Sequence, residues 1–154
     1  MTKIMNKNGI GKDILWLLPS VLWFLVTIKL LLTVQPVDPD SFFSKIPHFD
    51  KVAHFGIFGI FTACLMFSFC GGRFFNNQKG KIVRTVLIIV CSWGALTEIL
   101  QGLMLAAREG DVLDFFADAL GGFLGVYCYG ILHQIVPIVP IYDIKNKELE
   151  TDQI

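Results

Sequence analysis

The sequence predicts an all-α fold, an integral membrane bundle of four transmembrane helices. Apolar residues make up 54% of the 154 residues, and the mean hydropathy is +0.62. Only 17% of the residues are charged, below the roughly 25% of soluble domains. Four apolar stretches each reach the length of about 20 residues that a helix needs to cross the hydrocarbon. We therefore expect residues 1–154 to form one membrane domain.

The first predicted span differs from the others. The four spans are expected to cover residues 14–34, 52–70, 82–105 and 112–136. The first contains Lys29 within its apolar run and Pro19 near its start, where proline either begins or kinks a helix. Lysines precede it, as in a signal peptide, but it is long for one and no small-x-small cleavage site follows. We expect it to be retained, and we expect the polar tail, residues 144–154, to be flexible.

The basic residues of the loops predict the orientation, because cytoplasmic loops carry an excess of lysine and arginine. One side of the predicted topology holds nine of them: Lys3, Lys7, Lys12, Arg73, Lys79, Lys81, Arg84, Lys145 and Lys147. The other side holds three: Lys45, Lys51 and Arg108. This imbalance predicts a multi-pass protein of the cytoplasmic (inner) membrane with both termini in the cytoplasm.

Three polar motifs fall at span ends that this topology places on the outer side. They are Asp50-Lys51-x-x-His54, Glu98-x-x-Gln101 and Arg108-x-x-Asp111-x-x-Asp114-x-x-x-Asp118. An ionisable side chain inside a bilayer costs on the order of 2.5–3.5 kcal/mol on insertion scales, so it is rarely present without a partner or a function. The sequence therefore predicts that these residues converge in one outward-facing polar site.

The first two motifs leave several roles open. Asp50 and His54 are four residues apart and share a helix face, and Asp50 also suits the N-cap of the second span. His54 is either a proton donor or acceptor, a ligand, or a structural histidine with satisfied hydrogen bonds. Glu98 and Gln101 share a face of the third span. A carboxylate at this depth is expected to find a cation, either Arg108 just beyond it or Lys29 across the bundle, or to bind a proton.

The third motif forms one stripe of the fourth span. Asp111, Asp114 and Asp118 are spaced at i, i+3 and i+7, so they share a face. A helix N-terminus also favours acidic residues, which explains Asp111 better than Asp118, two turns further in. Gly121-x-x-x-Gly125 continues near the stripe and is typical of close helix approach. We expect the second and fourth spans to touch, although such a seam serves a homo-oligomer equally well.

Composition and spacing limit the cofactors and partners. The net charge is zero, so no nucleic-acid partner is expected. The four cysteines lie in apolar runs without CxxC spacing, which is typical of small buried side chains. An oxygen-rich set with one imidazole suits Mg²⁺, Mn²⁺ or Ca²⁺. No stringent ligand motif occurs, so no metal site is predicted, and a divalent cation stays an alternative.

The order and spacing of the three motifs, over residues 50–125, resemble the VanZ-like membrane protein family. The sequence departs from that pattern at Asp118, where the resemblance leads us to expect asparagine in many relatives. The namesake of the family is an accessory protein of glycopeptide-antibiotic resistance. The resemblance therefore implies an association with the cell envelope, and it implies no resistance phenotype for this chain.

The motifs and the resemblance together predict a non-enzymatic function. In this interpretation, Lys51 and Arg108 meet the phosphate of an anionic lipid headgroup or of a polyprenyl-linked envelope precursor. One alternative is a membrane-embedded hydrolase or transferase acting on a polyprenyl-phosphate or glycolipid, with His54 or Glu98 as general acid or base and the aspartates as metal ligands. Another is a structural or partner-binding membrane subunit, in which the charges only set the register of the bundle or bind a second membrane protein. The predicted site residues are Asp50, Lys51, His54, Glu98, Gln101, Arg108, Asp111, Asp114 and Asp118.

Overall fold

Four helices form the structure, a computed structural model that describes residues 14–32, 46–71, 79–104 and 110–135. They are α1 (Leu18–Leu32), α2 (Phe49–Gly71), α3 (Lys79–Met104) and α4 (Val112–Ile135). The described ranges contain no β-strand, which confirms the predicted all-α class. Helices α2, α3 and α4 are long and apolar enough to cross a membrane, whereas α1 has 15 residues. The chain is therefore a multi-pass membrane protein. Arg108 and the predicted flexible tail, residues 144–154, lie outside the described residues.

Helix α1 begins four residues later than the start predicted for the first span. A separate turn precedes it, in which the Leu17 N–H donates to the Ile14 carbonyl at 3.0 Å. Pro19 is the second residue of α1. In the first turn of a helix a missing N–H breaks no intrahelical hydrogen bond, so Pro19 is accommodated in the first turn and does not kink the helix.

The start of α2 corrects the capping role considered for Asp50. The Val52 N–H donates to the carbonyl of His48 at 3.2 Å, and His48 has a left-handed φ of 56°. His48 therefore lies at the N-cap position. Asp50 lies within the first turn, where the positive end of the helix dipole still favours a carboxylate.

The helices run up and down, and the apolar core lies mainly away from the three polar motifs. In lipid, such a core stabilises the bundle through close van der Waals packing, because leaving the bundle for acyl chains costs little hydration energy. Helix α2 contributes four of the buried apolar side chains, more than any other helix, and α3 contributes three. The core consists of Leu31, Phe58, Phe61, Leu65, Met66, Ile82, Val86, Val90 and Tyr129.

Helices α2 and α4 form the most extensive helix pair, as the glycine spacing predicts. At Gly121 an added methyl group would overlap the carbonyl of Phe55, and at Gly125 it would overlap Gly59 and Thr62. Only glycine allows the two backbones to approach this closely. This packing fixes the rotation of α4, which turns its acidic stripe toward α2.

Polar side chains attach α1 to the rest of the bundle. The Ser20 hydroxyl lies 2.6 Å from the Ser68 hydroxyl of α2 and also donates to the Cys64 carbonyl at 3.0 Å. The Trp93 indole of α3 donates to the Thr27 hydroxyl at 3.1 Å. Such bonds stabilise helix pairs in lipid, where apolar contacts discriminate poorly between neighbours.

Candidate functional site

The three polar motifs meet at one end of the bundle, which we call the polar end. The Lys51 ammonium of α2 donates to Asp114 Oδ1 of α4 at 3.0 Å. The Asp111 N–H, just before α4, donates to Glu98 Oε2 of α3 at 2.8 Å. The start of α2, the start of α4 and the last part of α3 therefore lie side by side.

The outer part of the polar end is the ammonium cluster, formed by Lys51, Asp50, Asp111 and Asp114. Lys51 Nζ lies 3.2 Å from Asp50 Oδ2, 2.7 Å from Asp111 Oδ2 and 3.0 Å from Asp114 Oδ1. A lysine has three N–H donors, so three carboxylates use its full donor capacity. Hydrogen bonding to this ammonium lowers the pKa of Asp111 below its ordinary value.

The inner part is the imidazole cluster, formed by His54, Glu98 and Asp118. His54 Nδ1 lies 2.9 Å from Asp118 Oδ1 and 3.7 Å from Glu98 Oε1. When Asp118 is ionised its oxygens only accept, and Nδ1–H is then the donor in this pair. All three residues are buried, and Asp118 is fully enclosed. The cluster therefore holds two carboxylates and one imidazole away from the surface of the bundle.

Two carboxylate oxygens of the imidazole cluster have no hydrogen-bond partner among the described residues. They are Glu98 Oε1 and Asp118 Oδ2. A buried acceptor without a partner costs about 1–3 kcal/mol, and more when it is charged. Gly94 of α3 lies against Asp118, since an added Cβ there would be 3.0 Å from Oδ2. A proton or a cation bound to these two oxygens would therefore stabilise the cluster.

Asp111 connects the two clusters. Its Oδ1 accepts the Leu113 N–H at 2.8 Å, and its carbonyl accepts the Asp114 N–H at 3.0 Å. These are the bonds of an N-cap, so the helix-dipole explanation for Asp111 applies. Its backbone N–H also holds Glu98 Oε2 at 2.8 Å, and its side chain binds Lys51. One residue therefore begins α4 and orients the carboxylate of α3.

Gln101 is a predicted site residue, but its side chain donates a hydrogen bond away from both clusters. Its side chain is buried, and Nε2 donates to the Leu31 carbonyl at 2.9 Å. Leu31 lies in the last turn of α1, where helix carbonyls have no intrahelical partner. Gln101 thus joins α3 to the end of α1. Arg108 is not among the described residues.

A groove of about 360 Å³ runs between α3 and α4 beside the imidazole cluster. Glu98 and Asp111 are its acidic lining residues, and the remaining wall is apolar or glycine. Sequence reasoning missed this groove, because its walls read as ordinary apolar positions of a membrane span. The other lining residues are Ala95, Ile99, Gly110, Val112 and Phe115.

A second cavity, of about 240 Å³, lies toward the opposite end of the bundle. Lys79, Cys70 and Tyr129 are among its lining residues. The two cavities therefore differ in charge, since the first has carboxylates and the second has an ammonium group.

Carboxylates outnumber cations at the polar end. Among the described residues the two clusters contain five carboxylates, one lysine and one histidine. The net charge is negative even when the histidine is protonated. Such an arrangement binds protons, metal ions or other cations, and it repels an anion that arrives without a counter-ion.

Comparison with known families decides the membership of this chain. The model of the VanZ/LLP1 family matches residues 5–133, which include all three polar motifs. This chain belongs to the VanZ/LLP1 family. The predicted resemblance is thereby confirmed. No curated protein and no solved structure matches the chain at a significant level. Family membership and the helices establish a VanZ-like membrane protein.

Proposed function

We propose that this VanZ/LLP1 protein binds a lipid of the cell envelope, without catalysis. The headgroup lies at the polar end, and the acyl or prenyl chain lies in the groove between α3 and α4. The groove carries the proposal, because it joins an apolar wall to the carboxylates of Glu98 and Asp111. Ile99 and Val112 in this wall are 57% and 69% exposed. A ligand that suits both parts is amphipathic.

The charges at the polar end constrain how a phosphate headgroup binds. Lys51 already donates to three carboxylates, so the direct Lys51–phosphate contact expected from the sequence would require breaking these bonds. A divalent cation between carboxylates and phosphate removes the conflict, because it attracts both. We therefore propose an anionic headgroup, such as a phospholipid or a polyprenyl-linked precursor, bound together with a cation.

The proposed location of the headgroup is the outer leaflet of the cytoplasmic membrane. The excess of basic residues in the loops on the opposite side supports this orientation. A His48→Cys variant without the four native cysteines tests it, since His48 is exposed beside the polar end. The introduced thiol should react with a membrane-impermeant maleimide in intact cells. Labelling only after permeabilisation would place the polar end in the cytoplasm.

The pair of His54 and Asp118 favours one other candidate, a hydrolase or transferase for a polyprenyl-phosphate or glycolipid. A carboxylate at 2.9 Å from Nδ1 orients an imidazole for general-base catalysis. The assay is release of phosphate from a short polyprenyl diphosphate by the purified protein. Turnover that His54→Gln abolishes would establish this candidate in place of the binding function.

Filling the groove tests the binding function. The full chain is reconstituted in vesicles of equal parts phosphatidylcholine and phosphatidylglycerol, with Mg²⁺, and a phosphatidylglycerol that carries a diazirine on its acyl chain is the probe. Ile99→Trp replaces an aliphatic side chain of the groove with a larger indole ring, which should exclude the acyl chain. Photolabelling should therefore fall several-fold.

Ile88→Trp is the matched control, because Ile88 lies three turns earlier on α3 and is 60% exposed. This variant should be labelled like the wild type. Equal labelling of the wild type and both variants would contradict the proposed lipid site, since it would mean that the probe reacts with any apolar surface of the bundle.

A further inference from the structure

We propose that the imidazole cluster binds one divalent transition-metal ion, with His54, Glu98 and Asp118 as its protein ligands. Each residue offers one ligand atom, and the three atoms all lie within 4.8 Å of one another. The ligands come from three different helices, so the ion would join α2, α3 and α4 at the polar end.

The separations between these atoms suit a single ion. Ligand atoms at about 2.1 Å from an ion are about 3.0 Å apart at right angles and about 3.4 Å apart in a tetrahedron. His54 Nδ1 is 2.9 Å from Asp118 Oδ1 and 3.7 Å from Glu98 Oε1. Small rotations of the side chains therefore bring all three atoms into one coordination sphere.

The two buried oxygens without partners are the independent observation that points to an ion. Glu98 Oε1 faces His54 and accepts no hydrogen bond, and Asp118 Oδ2 is fully buried without a donor. Nothing in the described part of the chain compensates both atoms at once. Coordination does so if Glu98 binds the ion through Oε1 and the Asp118 carboxylate binds it through both of its oxygens. Nδ1 then gives its lone pair to the ion, and its proton leaves or moves to Nε2.

The ammonium cluster is an acidic group of the same molecule that already contains a cation. Its three aspartates also lie close enough together for an ion. There, however, Lys51 already sits between them at 2.7–3.2 Å, and a metal ion would have to displace this ammonium. The ion is therefore assigned to the inner cluster.

The ligand set selects the class of ion. Carboxylates suit Mg²⁺, Ca²⁺ and Mn²⁺, whereas an imidazole suits Zn²⁺, Fe²⁺ and their neighbours. One imidazole with two carboxylates favours Mn²⁺, Fe²⁺ or Zn²⁺ over Mg²⁺ and Ca²⁺. Three protein ligands leave positions open on the ion, and Glu98 also lines the groove. The role of the ion, which is to meet a headgroup phosphate, rests on the proposed function.

Electron paramagnetic resonance with Mn²⁺ tests the ion site without any added lipid ligand. The full chain in detergent is stripped of metal and titrated with Mn²⁺. The six-line signal of the aqueous ion should decrease until one equivalent is bound. Pulsed measurements should then reveal coupling to a directly bound ¹⁴N nucleus.

Substitution of the ligands should remove these signals. His54→Gln should abolish the nitrogen coupling, and Glu98→Gln and Asp118→Asn should each weaken Mn²⁺ binding at least about tenfold. His48→Gln and Asp50→Asn are the controls, since His48 is exposed and Asp50 belongs to the ammonium cluster. Both controls should bind Mn²⁺ like the wild type.

Several outcomes would overturn the ion site. They are the absence of stoichiometric binding of Mn²⁺ and Zn²⁺ to the wild type, binding without nitrogen coupling, or loss of binding in Asp50→Asn and not in Glu98→Gln. The wild-type spectrum decides even when a variant fails to fold.

If the ion binds but Ile99→Trp leaves photolabelling unchanged, the lipid proposal fails alone. If photolabelling responds and no ion binds, the ion site fails alone.

Discussion

The ammonium cluster and the imidazole cluster both join α2 to α4, but they differ in depth, and only the inner one includes a side chain of α3, Glu98. Lys51 and His54 are one turn apart on α2, as are Asp114 and Asp118 on α4. The outer cluster is partly exposed, with Asp50 at 53% and Asp111 at 41%, and its central cation satisfies it. The inner cluster is buried and has two unpartnered oxygens. Depth thus separates acidic residues that share a lysine from buried carboxylates that have two unpartnered oxygens.

The largest expected loss of stability from a single substitution follows from removing His54, whose imidazole is the only group of the inner cluster that can carry a positive charge. His54→Leu leaves Asp118 and Glu98 buried without the imidazole, and breaking a buried pair in this way costs about 3–5 kcal/mol. Thermal unfolding of the metal-free protein in detergent measures this. A loss no larger than that of an exposed control such as Phe123→Leu on α4 would mean that the inner cluster is not a buried charge pair.

A smaller effect is expected from crowding Asp118 without changing any charge. In Gly94→Ala the new Cβ would lie 3.0 Å from Asp118 Oδ2 and 3.1 Å from its Cβ, so the Asp118 side chain must shift by a few tenths of an ångström. Overpacking of this kind costs about 1–3 kcal/mol. Gly80→Ala on the same helix meets nothing within 4 Å and should not be destabilised. Equal stability of both variants would show that Asp118 has room to move.

The smallest effect is expected in the outer cluster, where water screens the charges. Lys51→Met removes the ammonium and leaves three acidic neighbours, so stability should fall by less than half of the His54→Leu loss. Added salt should reduce this loss further, because it screens the repulsion between the carboxylates. A salt-independent loss as large as that of His54→Leu would erase the difference between the clusters.

Much of the fold could be predicted because its signals are local. Apolar length identified the membrane helices, and Gly121-x-x-x-Gly125 identified the contact between α2 and α4. The alternation of spans also brings Lys51, Glu98 and Asp111 to one end of the bundle. The predicted bounds were less accurate where a single residue sets the start of a helix. Pro19 lies in the first turn of α1, and the helix therefore starts later than the apolar run suggests.

The partners within the polar end could not be predicted, because they depend on how each helix is rotated against its neighbours. Spacing places Glu98 and Gln101 on one face of α3, yet Glu98 contacts α2 and α4 while Gln101 binds the end of α1. The use of Lys51 by three aspartates, the packing of Gly94 on Asp118 and the groove beside Glu98 all follow from those rotations. The functional role of the site residues stays a prediction.

Mapping the photolabelled residues of the wild type by mass spectrometry tests the central claim most directly. The acyl-chain diazirine of phosphatidylglycerol should react mainly with the groove, at residues 95–99 of α3 and 112–115 of α4. Labelling concentrated at the opposite cavity, around Lys79, Val83 and Tyr129, would contradict the account. It would show that a basic end, and not the carboxylate-rich polar end, attracts the anionic lipid.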